Sequence, residues 1–205
     1  MNKDDEFDLE IIWKNSAQKY RLKKRDYMLW CQSNNLIFSI FSHLTKKDNE
    51  YYLNIVCKFK PMWSDEIFWE IVDPKSKFNF SKEPLSFRVI GANVSPMKEI
   101  YTNQIKLTNL NLEETQMIFD NEIEKILKII KLVNEKDYNT GDELSIINIL
   151  NAIKDKDYKN ARKILKKISS PYKLITGELK PGANVNLWVF KGQTKKYLRF
   201  KTINK

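Results

Sequence analysis

Residues 51–59 read YYLNIVCKF, and their side chains alternate between two chemical kinds. Every second residue is apolar or aromatic, whereas Asn54 and Lys58 occupy intervening positions. A repeat of two is typical of a β-strand that buries one face and exposes the other. Pro61 follows shortly after, and proline lacks the N–H that a strand needs to continue its pairing. The sequence therefore predicts a half-buried strand that stops at Pro61.

Two more extended runs precede this strand, at residues 27–31 and 36–44. Short polar segments at 33–35 and 46–49 separate the three runs. Connections of this length join antiparallel neighbours, because parallel strands need a longer crossover. We therefore predict an antiparallel meander. Shorter strands are predicted at residues 85–90 and 104–107.

Helical patterns flank the predicted sheet. The first has an acidic start and a basic run at its end (21–25), which suit the two ends of a helix dipole. Ser64 is a candidate N-cap of a short helix, and Asn111 stands three residues before Glu114, as in a capping box. The helical patterns cover residues 4–20, 64–72, 111–133, 142–153 and 158–168. The last two are separated by a polar bend, which predicts an antiparallel helical hairpin.

The elements together predict an α+β fold. An N-terminal helix packs on the antiparallel sheet, and a helical subdomain and a C-terminal β-hairpin follow. The hairpin is predicted from residues 185–190 and 196–202, which flank Gly192. The expected boundaries are 1–110 for the α+β sheet domain, 111–170 for the helical subdomain and 171–205 for a basic β tail, with one compact domain as the alternative.

The charge is large and unevenly distributed. The chain has a formal net charge of +10, and residues 154–205 carry fifteen basic and three acidic residues. Lysine, asparagine and isoleucine make up 74 of the 205 residues, a bias that resembles the product of an AT-rich bacterial genome. One interpretation of this positive charge is therefore that the lysines simply lie on solvated helix faces. The other is an acidic partner, protein or nucleic acid, drawn to the C-terminal segment.

Several classes of chemistry lack their motifs. Five glycines form neither a dinucleotide-binding nor a phosphate-binding loop. His43 is the only histidine, and Cys31 and Cys57 show no metal-ligand spacing, so we expect no catalytic set, metal or cofactor and two buried free thiols. The acidic N-terminus and the absence of a long apolar run predict a cytoplasmic protein without a membrane partner.

Two regions supply candidate binding residues. Around the short helix 64–72, tryptophans could anchor an interface or join the core, and two carboxylates four residues apart could hold a divalent ion. Near the C-terminus, lysines interleave with aromatic residues, a pattern found in proteins that bind single-stranded nucleic acid. The candidate residues are Trp63, Glu66, Trp69, Glu70, Arg162, Lys166, Lys195, Lys196 and Arg199.

Three stretches carry a resemblance. LIFSIF at residues 36–41 and YLNIV at 52–56, after an amphipathic helix, resemble uncharacterised immunity or accessory domains of low-GC Gram-positive-like bacteria. DYKNARKIL at 157–165 looks like the second helix of a single tetratricopeptide-type hairpin. The resemblance implies a helix beside an antiparallel sheet and a protein encoded next to a toxin. It implies no functional residue.

Three functions follow as hypotheses. The first is a non-enzymatic bacterial binding protein, an immunity-type inhibitor of a protein toxin, with Trp63 and Trp69 at the centre of its interface. The second is nucleic-acid binding through the basic C-terminal segment. The third is a metal-dependent hydrolase that uses the carboxylates of Glu66 and Glu70.

Overall fold

The computed structural model describes residues 9–26, 28–72, 84–89, 95–108, 110–139, 146–167 and 192–201. Five strands are present in these residues: β1 (Lys23–Arg25), β2 (Met28–Ser33), β3 (Leu36–Lys47), β4 (Glu50–Pro61) and β5 (Lys98–Leu107). The helices are α1 (Leu9–Tyr20), α2 (Met62–Val72), α3 (Leu112–Ile130), α4 (Ile146–Lys154), α5 (Tyr158–Lys167) and α6 (192–201), with 3-10 turns at Leu85–Arg88 and Glu135–Tyr138. The fold is α+β, as predicted.

The chain forms two compact units. The sheet unit is Met1–Lys60 with Met97–Glu135, and the helical unit is Pro61–Pro96 with Lys136–Lys205. Each unit therefore combines two separate stretches of sequence, because β5 returns to the sheet and α2 packs against α4. The boundaries between the two units therefore differ from the boundaries predicted at residues 110 and 170.

The sheet unit contains one antiparallel sheet in the order β1-β2-β3-β4-β5. In β4, Leu53, Ile55, Cys57 and Phe59 are buried, which confirms the predicted alternation. Phe59 stacks on Phe38 of β3, with 5.8 Å between the ring centroids. The predicted meander is confirmed. The buried face of β4 is the one that the alternation of apolar residues indicated.

Helices α1 and α3 of this unit meet through a polar network. Asp120 accepts hydrogen bonds from Ser16 Oγ at 2.6 Å, Lys19 Nζ at 2.8 Å and Gln116 Nε2 at 3.0 Å. Asn111 caps α3, as its side chain accepts from the N–H groups of the first turn. The network specifies the pairing of the two helices, because a buried carboxylate needs all these donors.

The helical unit is built on an apolar core shared by four helices. Its fully or nearly fully buried members are Phe68, Ile71, Ile149, Leu150, Ala152, Ile153, Ala161, Ile164, Leu165 and Leu198, which belong to α2, α4, α5 and α6. Helices α4 and α5 pack against each other across a three-residue bend, Asp155 to Asp157, as predicted.

Three local predictions are wrong, and one short strand was not predicted. Residues 196–201 form part of helix α6 rather than a strand, whereas 185–190 lie outside the described residues. Leu85–Arg88 is a 3-10 turn rather than part of a strand. The unpredicted strand is β1, which lies in the basic run after α1. Ser64 is not an N-cap, because β4 runs directly into α2 and Ser64 Oγ donates to the Pro61 carbonyl at 2.7 Å.

Candidate functional site

The two glutamates of α2 pair with different cations. Glu66 lies 3.6 Å from Nη2 of the buried Arg88. Glu70 lies 3.1 Å from Lys201 Nζ and accepts a hydrogen bond from Tyr197 Oη at 3.2 Å. Burial, together with the Glu70 carboxylate, raises the pKa of Tyr197. Glu66 and Glu70 therefore form two separate ion pairs, and their carboxylates do not converge on one site.

The tryptophans of α2 belong to the packing of the helical unit. Trp63 meets Tyr138 edge to face, with ring centroids 5.8 Å apart, and Lys154 Nζ lies 4.6 Å from the Trp63 ring. Trp69 is half-buried, as Trp63 is. Trp63 thus contributes to the packing of this unit, and neither tryptophan is among the large exposed apolar side chains.

Beside Trp63 lies a buried cluster of hydroxyl groups around one carboxylate. Ser95 donates its N–H and Oγ to Asp65 Oδ1 at 2.9 and 2.8 Å, and Ser64 Oγ lies 2.6 Å from Ser95 Oγ. Tyr138 Oη donates to the Pro96 carbonyl at 2.5 Å, and burial raises the pKa of Tyr138. The cluster ties the chain around Ser95 to the first turn of α2, which is a structural role.

The two thiols and the histidine do not form a catalytic or metal-binding group among the described residues. Cys57 is buried and Cys31 is half-buried, and both are free. Burial raises the pKa of Cys31 to about 11, so the protonated thiol dominates at neutral pH. His43 is exposed on β3. Among the described residues, no group of three or more histidine, cysteine or acidic side chains is arranged to hold a metal ion.

Helices α5 and α6 carry nine cations between them. We call their cations the basic surface: Lys159, Arg162, Lys163, Lys166 and Lys167 on α5, and Lys195, Lys196, Arg199 and Lys201 on α6. No acidic residue lies within either helix. Arg162 Nη2 donates to the Leu198 carbonyl at 2.9 Å and so joins the two helices. Seven of the nine cations are exposed, whereas Arg162 and Lys201, which is paired with Glu70, are half-buried.

Two depressions flank Lys163 of α5. The cationic groove has a volume of 630 Å³ and is lined by Asp157, Lys159, Asn160, Arg162, Lys163 and Lys166. The amide cleft has a volume of 490 Å³ and is lined by Asn139, Asn148, Asn151, Ala152, Asp155, Asp157, Asn160, Lys163, Ile164 and Lys167. Lys163, Asn160 and Asp157 line both depressions, so they form one continuous surface.

A third depression lies between α2 and α6. This apolar pocket has a volume of 390 Å³, and its lining includes Glu70, Lys196, Tyr197 and Phe200. The side chain of Phe200 is 64% exposed. An exposed phenylalanine beside an apolar pocket is a feature of surfaces that contact other molecules.

The structure brings only part of the predicted site together. Glu70 and Lys196, far apart in sequence, line the same apolar pocket. Arg162 and Lys166 line the cationic groove, and Lys195 and Arg199 are exposed on α6. Glu66 and Trp63 take part in the internal contacts given above, and Trp69 is half-buried.

The amide cleft was not anticipated from the sequence. Asn148 and Asn151 stand three residues apart on α4, and Asn160 and Lys163 have the same spacing on α5. Residues three apart share one helix face, so this spacing was the available signal. It was hidden by the high overall asparagine content, which codon bias explains equally well.

No helix within the described residues is both long enough and apolar enough to cross a bilayer. Comparison of the whole chain with family models, curated proteins and solved structures found no match.

Proposed function

We propose that this chain is a non-enzymatic binding protein whose basic surface contacts the phosphate backbone of a nucleic acid. The observation that carries the proposal is the display of seven exposed cations by the helices α5 and α6, which contact each other and contain no acidic residue. Clustered lysine and arginine side chains on one part of a domain are the electrostatic footprint of nucleic-acid binding. Such a surface binds because phosphates release their condensed counterions when the cations approach.

The side chains favour a single strand held without strict sequence preference. Lysine dominates the basic surface, with Arg162 and Arg199 as its two arginines. Lysine acts on phosphate as a point charge, whereas bidentate reading of guanine relies mostly on arginine. Phe200 is exposed between Arg199 and Lys201, and an exposed aromatic ring can stack on an unpaired base.

The test is affinity for a generic single-stranded oligonucleotide at increasing salt concentration. We expect the Lys159→Ala, Lys166→Ala double variant to weaken binding and to reduce the slope of log affinity against log salt by about 0.7 for each phosphate that is no longer neutralised. The matched control is Lys128→Ala, Lys131→Ala, which removes two exposed cations of the sheet unit. Equal weakening in both variants would mean that net charge alone, and not the basic surface, determines binding.

An acidic protein is the second candidate partner. The apolar pocket and the exposed Phe200 favour it, because an apolar centre within a charged rim is the usual anatomy of a protein interface. An immunity-type inhibitor of a toxin would use this surface. Either partner fits a cytoplasmic protein, since Cys31 and Cys57 are free thiols, which suit a reducing compartment.

The two partners are separated by a variant of the aromatic side chain. A protein partner anchored at the pocket should be captured by the wild-type chain and should no longer be captured by Phe200→Ala. The control is Leu132→Ala, which removes an apolar side chain that is 80% exposed in the sheet unit. Capture that is unchanged by Phe200→Ala would argue against the pocket as a protein-docking site.

A further inference from the structure

The amide cleft has an inner part and an outer part with different chemistry. Asn148 and Asn151 of α4 are half-buried, and they lie beside the apolar side chains of Ala152 and Ile164. Lys163 and Lys167 of α5 also line the cleft but are exposed. Its volume of 490 Å³ lies within the range of about 300–1,000 Å³ that is common for small-ligand clefts.

The carboxamides of the cleft match a ligand edge that has both a donor and an acceptor. Asn151 Nδ2 donates to the Tyr138 carbonyl at 3.4 Å, which uses one of the two hydrogens on that nitrogen. Asn160 donates its backbone N–H to Asp157 Oδ1 at 3.0 Å, and this bond leaves the side-chain carboxamide available. Adenine presents such an edge at N6 and N7, which an asparagine carboxamide can bind with two hydrogen bonds.

The charged residues fix which side of the cleft the phosphates would follow. Asp155 and Asp157 lie at the bend between α4 and α5, where a phosphate would be repelled. Lys163 and Lys167 stand four residues apart on one face of α5, where successive phosphates would be attracted. Lys163 also lines the cationic groove, so a strand could continue from the cleft along α5.

We propose that the amide cleft binds an unpaired adenine of a single-stranded nucleic acid, while Lys163 and Lys167 hold the phosphates beside it. This inference rests on the proposed function and adds a base preference to it. Phosphate contacts position a strand, whereas contacts to base edges discriminate between bases. The cleft therefore supplies selectivity that the lysine-rich basic surface lacks.

The experiment is fluorescence anisotropy of the full chain with labelled oligo(dA) and oligo(dT) of about 15 nucleotides, the upper range of single-strand site sizes. We expect the wild-type chain to bind oligo(dA) more tightly by about tenfold, the effect of one good bidentate contact. Asn160→Ala, at an exposed position where the substitution is compatible with folding, should abolish this preference and leave the salt dependence unchanged. Asn151→Ala, on the facing helix α4, should reduce the preference.

The controls separate this inference from the function on which it rests. Asn35→Ala removes an exposed carboxamide in a turn of the sheet unit and should change nothing. Lys163→Ala should weaken binding of both oligonucleotides equally. Equal affinity for the two oligonucleotides, or a preference that survives both Asn151→Ala and Asn160→Ala, would overturn the adenine site and leave the proposed function standing. Absence of binding to either oligonucleotide at low salt would overturn the proposed function itself.

A competition experiment distinguishes a single-stranded nucleic acid from a free nucleotide as the ligand of the amide cleft. Adenosine monophosphate offers the same base with a single phosphate and lacks the neighbouring phosphates that Lys167 and the cationic groove would contact. We expect it to compete with oligo(dA) only at much higher concentration. Competition at the concentration of oligo(dA) itself would overturn the strand proposal and reassign the cleft to a mononucleotide.

Discussion

The carboxylate of Glu122 shows how one residue's environment sets its chemistry. It is buried on α3 and accepts hydrogen bonds from Lys125 Nζ at 2.5 Å, from Asn103 Nδ2 at 3.0 Å and from Tyr101 Oη. Burial by itself would raise the pKa of Glu122, but these three donors together outweigh burial and the pKa is lowered. In the same contact, burial and then Glu122 raise the pKa of Tyr101 to about 12.

The lowered pKa of Glu122 predicts a contribution to acid unfolding. Its pKa in the folded chain lies below that in the unfolded chain, so the folded state binds fewer protons. The resulting stabilisation is complete above the unfolded pKa of about 4.3 and disappears as pH falls through the folded pKa. We expect Glu122→Gln to flatten the fall in unfolding free energy below about pH 5, measured by urea unfolding at a series of pH values. Glu124→Gln, an exposed position on the same helix, should leave that fall as steep as in the wild-type chain. If the unfolding free energy of Glu122→Gln fell below pH 5 as steeply as that of the wild-type chain, this assignment would be contradicted.

At the scale of single elements, α6 shows where local sequence is ambiguous. Thr194, Tyr197, Leu198 and Lys201 recur at helical spacing, yet the aromatic residues of the same segment favour a strand. The helix forms because this spacing lets Leu198, which is 1% exposed, join the core with α2, α4 and α5. Tertiary packing therefore determines that this segment is a helix, and the local sequence alone does not indicate which of the two structures forms.

The docking of α6 makes a clear prediction. Leu198→Ala removes a buried side chain and should lower the free energy of unfolding by about 2–5 kcal/mol. Phe200→Ala, two residues away and 64% exposed, should change it by less than about 0.5 kcal/mol. Urea unfolding followed by circular dichroism measures both. Equal effects of the two substitutions would mean that α6 does not pack through Leu198.

The elements that were predicted correctly carry their signal in their own residues. Strand β4 alternates over most of its length, and α3 has both a cap at Asn111 and a buried stripe. Strand β1 has only three residues, all lysine or arginine, which show no period at all. It forms because it pairs with β2, and such a pairing cannot be read from three cations.

At the scale of the whole molecule, the distribution of charge was visible in the sequence and its geometry was not. The excess of lysine and arginine after residue 154 was countable, and it includes both α5 and α6. The contact of Arg162 with the Leu198 carbonyl was beyond any local pattern, because it joins residues 36 positions apart. For the same reason, the amide cleft could not be predicted from the sequence, because α4 and α5 form it together.

We expect the basic surface to bind nucleic-acid phosphate. The most direct test of this expectation is the affinity of the full chain for one generic single-stranded oligonucleotide, measured from about 50 to 200 mM salt. We expect measurable binding at the lowest salt and a linear fall of log affinity with log salt, with a slope of about −2 or steeper, as three or more phosphate contacts require. No binding at the lowest salt, or an affinity that does not change with salt, would contradict it.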